Sequence, residues 1–119
     1  MPKDDRVYAG HMLDMAEKIQ ELSAENDGLD FSCDQALLYA LAHLVQVIGE
    51  AARRVSPEFR QRHPQVPWAE IIGMRNKVVH DYLDLDEDIL RAVVKGDIPK
   101  LIEELKKIGS SPMSVGDFR

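Results

Sequence analysis

Several side chains able to move a proton or hold phosphate charge fall within the eight residues Arg75-Asn76-Lys77-Val78-Val79-His80-Asp81-Tyr82. Histidine takes and gives a proton near neutral pH, and a guanidinium stabilises charge developing on a phosphoryl group. Two copies of this segment side by side in a dimer cleft would converge two arginines, two histidines and two asparagines. Such a set binds a phosphodiester and suffices for metal-free RNA cleavage, in which the adjacent 2′-OH attacks the phosphate. The Arg-x4-His spacing alone is weak, because 8 arginines and 4 histidines in 119 residues give roughly a quarter of one chance match. Arg6 and His11 make a second one. Requiring a tyrosine two residues after the histidine cuts the expectation to roughly one in a hundred, and only Arg75, His80 and Tyr82 satisfy it. On spacing alone a structural reading stays open: an arginine pairing with an acid and a histidine packed at a helix end.

Other chemistries lack their residues. No histidine has a glutamate three residues before it, as a di-metal carboxylate bundle needs, and no His-Glu-x-x-His occurs. No metal site and no cofactor are expected. Gly10, Gly28, Gly49, Gly73 and Gly96 are isolated, so no phosphate-cradling loop is implied. Cys33 stands alone at a predicted helix start without an evident base; it reads as structural, and a single cysteine excludes an intramolecular disulfide. His11, His43 and His63 match no motif.

The elements that must position the motif are helical. Tyr8, Met12, Met15, Ile19 and Leu22 predict an amphipathic first helix ending before Asn26-Asp27-Gly28. Ser32 and Gln35 have capping-box spacing for a second helix. Its stripe Leu37, Leu41, Leu44, Ile48, Ala51, Val55 is flanked by Leu38, Ala42, Val45, Gly49, Ala52, whose small residues allow close backbone approach. The double stripe points to a homodimer, or else to burial of both stripes within one chain. Ser56-Pro57 ends that helix and starts a short turn through Phe59. Pro67 opens a third helix from Trp68 to about Tyr82, with Arg75 inside the stripe Ile71, Val78, Tyr82. On such a helix Arg75 and His80 would lie about 140° apart, whereas Asn76 and His80 align. Asp84-Leu85-Asp86-Glu87-Asp88 suits a fourth helix's N-terminus, Gly96-Asp97-Ile98-Pro99 breaks it, and Leu101, Leu105 and Ile108 continue in a last segment.

With no period-2 pattern or repeat, the expectation is an all-α bundle of four main helices plus short ones, one domain over 1–119 with a flexible tail at 109–119. The charged start leads into no apolar signal core, and Ala36 to Ala52 is interrupted by His43, Gln46 and Glu50 and too short to span a bilayer. A cytoplasmic protein without a membrane partner is expected.

The chain resembles the HepT-like branch of the HEPN superfamily, toxins paired with minimal nucleotidyltransferase (MNT) antitoxins. The residues that carry the likeness are Ile48-Gly49-Glu50-Ala51-Ala52, Pro67-Trp68, Ile72-Gly73-Met74-Arg75-Asn76, the Arg75-x4-His80-x-Tyr82 motif and Asp97-Ile98-Pro99-Lys100-Leu101. They run in family order over about residues 5 to 108. One element departs: family members often carry an aromatic early in the fourth helix, where this chain has Leu90-Arg91. The resemblance implies a homodimeric, metal-independent endoribonuclease of a type VII-like toxin-antitoxin system, with Arg75 and His80 of both protomers in the interfacial cleft. It makes Tyr82 the hydroxyl that the antitoxin modifies with AMP, adding phosphate charge and bulk that repel RNA. Asn76 is a site helper, Lys77 a phosphate contact or a solvated lysine, and Glu50 either orients Arg75 or lies at the dimer seam. The alternatives are a catalytically silent HEPN protein that a nucleotidyltransferase binds or modifies, and a helical scaffold.

Net charge is -6, from 15 basic and 21 acidic side chains, which argues against a general nucleic-acid binder. The distribution changes that inference. Residues 49–80 hold 6 basic and 3 acidic side chains, whereas 1–48 hold 3 and 9 and 81–119 hold 6 and 9. Arg53, Arg54, Arg60, Arg62, Arg75 and Lys77 therefore form a locally basic segment inside an acidic shell, able to meet phosphates if they share a face.

Overall fold

The capping residues written into the chain set most of the helix starts. In the computed structural model, which describes residues 4–26, 29–31, 34–81 and 84–109, α1 spans Asp5–Glu25 behind Asp4, whose carboxylate accepts from the Arg6 amide. Helix α2, Gln35–Arg54, is capped by Asp34 accepting from Leu37 N–H at 2.9 Å. The expected cap is Ser32; it and Cys33 lie outside the described residues, and Asp34, two residues further on, caps the helix. Ser56 caps α3, Pro57–Arg62, with Pro57 in its first turn, so the short helix runs past the expected end at Phe59. Asp5 ties the two ends of this unit together: its carboxylate accepts from both Ser56 N–H and Ser56 Oγ, at 2.8 and 2.7 Å.

Helix α4, Trp68–Val78, stops four residues before the expected end at Tyr82. The chain then forms β1, Val79–Asp81, paired antiparallel with β2, Asp84–Leu85, Val79 opposite Leu85. Val78 and Val79 are adjacent β-branched residues, which lose rotamer freedom in a helix and suit a strand. Helix α5, Glu87–Ala92, follows with Asp86 as its cap and Glu87 and Asp88 in its first turn, as the acidic run predicts. It is not broken at Gly96-Asp97-Ile98-Pro99. A π-helical turn, Val93–Asp97, carries the chain into α6, Ile98–Gly109. There Ile98 N–H donates to Val93 O, and the wider turn passes the chain into a helix whose second residue, Pro99, has no N–H to donate.

The fold is an all-α bundle with one two-stranded hairpin, as the resemblance leads one to expect of the helices. Helix α2 lies between α1 and α4, and α6 returns along α1. Both stripes of α2 are buried inside the single chain, Leu37, Leu41 and Ile48 together with Leu38, Ala42, Val45 and Ala52. The double stripe is therefore accounted for by the protomer itself and is no argument for a dimer. At 20 residues α2 has, by length and hydropathy alone, the makings of a bilayer-crossing helix, which corrects the expectation that this stretch is too short; 56% of its most apolar 18 residues are buried against the rest of the protein, as in a core helix. On α1 the fully buried positions are Ala9, Met12, Ala16 and Ile19, with Tyr8, Met15 and Leu22 half-buried at the flank. The stripe is rotated because two alanines form its centre, where neighbouring helices approach.

Arg91 occupies the place where the family likeness leads one to expect an aromatic. Its Nε donates to Leu29 O at 2.8 Å and its guanidinium stands 5.1 Å from the Phe31 ring centroid. Leu29 is fully buried with φ at 48°, a left-handed conformation that costs a non-glycine residue about 1 kcal/mol or more. Arg91 holds that loop in place.

A β-carbon on Gly49 would lie 3.4 Å from Ile71 O and 3.6 Å from Ile72 O, so α2 and α4 touch through backbone. Gly49→Ala is expected to be nearly neutral, because helix propensity offsets a tight contact. Gly49→Val is expected to cost about 1–3 kcal/mol by overpacking, measured by urea denaturation.

Candidate active site

Trp68 anchors the helix that carries the motif. Its ring is buried against Phe59 and its Nε1–H donates to His63 O at 3.0 Å. One turn apart, Trp68, Ile71, Met74 and Val78 point into the core. Met74, not Arg75, completes this stripe, so the arginine expected among apolar residues is exposed instead. The side chains of Arg75 and Asn76 enter a cleft of about 510 Å³ between α2 and α4, across which lie Gln46, Gly49, Glu50 and Arg53. Arg75 Nη1 donates to Asn76 Oδ1 at 3.3 Å. Glu50 does not orient Arg75; its carboxylate accepts from Arg53 Nη1 at 3.3 Å. A shallower groove of about 180 Å³, lined by Tyr39, His43, Val79 and Leu85, shares Gln46 and Arg75 with this cleft, so the two are continuous around Arg75.

His80 lies on β1, beyond the helix end, so the i, i+4 alignment with Asn76 and the 140° separation from Arg75 do not apply. Its imidazole is 51% exposed and its Nε2 is 3.1 Å from Asp86 Oδ2. The Asp86 carboxyl is held below the usual carboxylate range, first by the Ile89 amide and then by the His80 side chain. Within one protomer His80 lines neither groove that holds Arg75. Tyr82 lies outside the described residues.

The other candidate phosphate contacts disperse. Arg53 is in the Arg75 cleft, whereas Arg54 lines a separate groove between α1 and α2 with Tyr8 and His11. Lys77 faces away from Arg75, into a cavity of about 160 Å³ shared with Glu70, Asp97 and Lys100. Arg60 caps the C-terminus of α2, donating from Nη2 to Ala52 O and Arg53 O. The basic segment therefore does not form one face. Among the described residues no group of three or more His, Cys, Asp or Glu side chains is placed to hold a metal ion.

Tyr39, His43, Gln46, Glu50 and Arg53 recur at helical spacing of four and three residues along the exposed side of α2, a polar stripe visible in the periodicity, of which the sequence expectations for the site include only Glu50 and Arg53. The sequence marks Asp86 only as a helix-start carboxylate, because its reach to His80 depends on the hairpin that brings β2 back beside β1.

His63 packs on Phe59 with ring centroids 4.5 Å apart. Burial first, then Arg62 and Arg6, lower its pKa from the ordinary 6.5. The unfolded chain thus binds this proton more readily, so the His63 contribution to stability is present above pH 6.5 and lost as pH falls below it toward the folded value. Thermal melts are expected to show a shallower acid-side decline for His63→Gln than for wild type.

Residues 12–108 match the family model for HepT-like ribonucleases. A protein of Thermococcus cleftensis named "probable ribonuclease HepT" is 32% identical over 108 residues, covering 91% of this chain and 98% of that one. A Methanocaldococcus jannaschii protein named "putative RNase" is 32% identical over 104 residues, 87% of this chain and 95% of its own. Another so named, from Caldanaerobacter subterraneus subsp. tengcongensis, is 34% identical over 110 residues, 89% and 95% of the two chains. No solved structure is significantly similar.

Proposed function

Because the chain belongs to the HepT-like ribonuclease family, we propose that it is the toxin of a type VII-like toxin-antitoxin system, a metal-independent endoribonuclease that acts as a homodimer in the cytoplasm. The observation that carries this reading is that neither Arg75 nor His80 is consumed by the fold. Arg75 stands in an open cleft with its neighbour Asn76, and His80 presents a half-exposed imidazole braced by a carboxylate. The exposed α2–α4 face, with half-buried Ile72 and Gly73 and the exposed Tyr39, is the surface on which a second copy would bring two such sets together.

In this reading Arg75 binds a non-bridging phosphate oxygen and Asn76 holds its guanidinium. The 2′-oxygen forms its bond to phosphorus as His80 takes the 2′-OH proton. The phosphorus–O5′ bond breaks, leaving a 2′,3′-cyclic phosphate, and the 5′-oxygen takes a proton from the second protomer's imidazolium. Arg53 steers the strand at the rim, while Arg54 and Lys77, which face other surfaces, contribute little. Tyr82 accepts AMP from an MNT-type nucleotidyltransferase, and the added phosphate excludes RNA by charge and bulk.

A catalytically silent HEPN protein that serves a nucleotidyltransferase as partner or substrate is the second reading, favoured by the separation of His80 from the Arg75 grooves within one protomer. Incubating the unmodified protein with labelled RNA in EDTA separates the two. The toxin reading expects cleavage, abolished after treatment with an MNT-type nucleotidyltransferase and ATP, with AMP on Tyr82 by mass spectrometry. Intact RNA in EDTA overturns the nuclease, and AMP elsewhere or absent overturns the role of Tyr82.

A further inference from the structure

Asp86 connects three elements that would otherwise meet only through the chain. Its N–H donates to Val78 O at 2.6 Å, where α4 ends. Its Oδ1 accepts from Ile89 N–H at 3.0 Å, capping α5. Its Oδ2 lies 3.1 Å from His80 Nε2. The imidazole is thus fixed between the end of the motif helix and the start of the next, although the strand that bears it is only three residues long.

A carboxylate has no hydrogen to donate, so in this contact Nε2 must carry one. In the neutral ring the lone pair then belongs to Nδ1. We infer that Asp86 is a positioning residue for His80, fixing the Nε2–H tautomer so that Nδ1 is the atom that takes the 2′-OH proton. The inference rests on the ribonuclease reading above and deepens it by assigning the proton to an atom. When Nδ1 takes the proton as the O2′–phosphorus bond forms, the ring becomes an imidazolium with Asp86 facing its other nitrogen, and the carboxylate offsets the new charge. The cap keeps that carboxylate ionised, because the Ile89 amide and the positive end of α5 both favour the anion. Half of the His80 side chain remains exposed although Nε2 is engaged by Asp86.

The two functions of Asp86 are separable by substitution. Asp86→Ser retains a good cap for α5 but its hydroxyl is too short to reach His80. Asp86→Asn retains the cap and the length, but with its Oδ1 accepting from the Ile89 amide its Nδ2–H2 faces His80 and donates to Nε2, which favours the opposite, Nδ1–H tautomer. For Asp86→Ser, kcat for RNA cleavage is expected to fall about tenfold or more with KM unchanged, and Asp86→Asn is expected to fall at least as far, because it holds the ring in the wrong tautomer. The melting temperature of both variants stays close to wild type. Nitrogen-15 spectra of the imidazole are expected to show His80 as the Nε2–H tautomer in wild type and as a tautomer mixture in Asp86→Ser. An Nδ1–H ring in wild type, an unchanged tautomer in Asp86→Ser, or an unchanged kcat in that variant overturns the inference. Should wild type cleave no RNA, the ribonuclease reading fails, and the tautomer spectra alone still decide whether Asp86 sets the ring.

Discussion

His80→Ala is expected to lower RNA cleavage by about 10²–10⁴-fold, the usual contribution of a positioned general acid–base group. Arg75→Ala is expected to fall in about the same range, since removing one preorganised group that stabilises transition-state charge costs roughly 10²–10³-fold. Both side chains are exposed and neither holds the core, so folding stability should move by no more than about 0.5 kcal/mol. Arg75→Lys should recover only part of the rate, because an ammonium cannot offer the fork of donors that engages two phosphate oxygens. Rates on a labelled RNA, set beside thermal melts of the same preparations, check this. A loss of rate accompanied by an equal loss of fold would return Arg75 and His80 to structural roles.

Trp68→Ala carries the largest expected stability cost, about 3–5 kcal/mol for truncating a buried tryptophan. Three interactions are lost together. The ring fills the core, it meets Phe59 edge-on with centroids 6.3 Å apart, and its Nε1–H satisfies His63 O in the loop that leads into α4. Against a typical domain stability of about 5–15 kcal/mol the loss is large enough to populate unfolded chain at 37 °C. Trp68→Phe should recover most of the apolar part but not the hydrogen bond, leaving a deficit of about 1 kcal/mol or more. Urea denaturation of the three proteins gives both numbers. Since Trp68 sets where α4 begins, it also sets where Arg75 enters the cleft, and cleavage by Trp68→Phe should fall less than by either motif variant.

Much of this fold is written locally. Ser56-Pro57 and the acidic run before α5 act through their own backbone amides, so short-range chemistry suffices to read them, and α6 buries Leu101, Leu105 and Ile108 as its spacing requires. What was not legible depends on contacts made elsewhere. The end of α4 is decided by the pairing of Val79 with Leu85, which helical periodicity does not contain. The exchange of Met74 for Arg75 in the buried stripe is a shift of one position, about 100° around a helix. Whether the two stripes of α2 face one chain or two depends on the packing of α1 and α4, and they face one. At the site, Arg75 and Asn76 line one cleft, and Arg53 joins them across it. Arg54, Arg60 and Lys77 were grouped with them by charge alone, and a helix distributes neighbouring charges around its circumference.

In the proposed reaction the 2′-hydroxyl is the nucleophile, and His80 and Arg75 do the work of cleavage. The direct measurement takes an RNA oligonucleotide cleaved by the protein in EDTA, replaces the nucleotide 5′ to the cut by its 2′-deoxy form, and analyses the product ends. Cleavage lost at that linkage, with 2′,3′-cyclic phosphate and 5′-hydroxyl ends from the unsubstituted RNA, is the predicted result. Cleavage of the deoxy linkage, or 5′-phosphate ends, would contradict it.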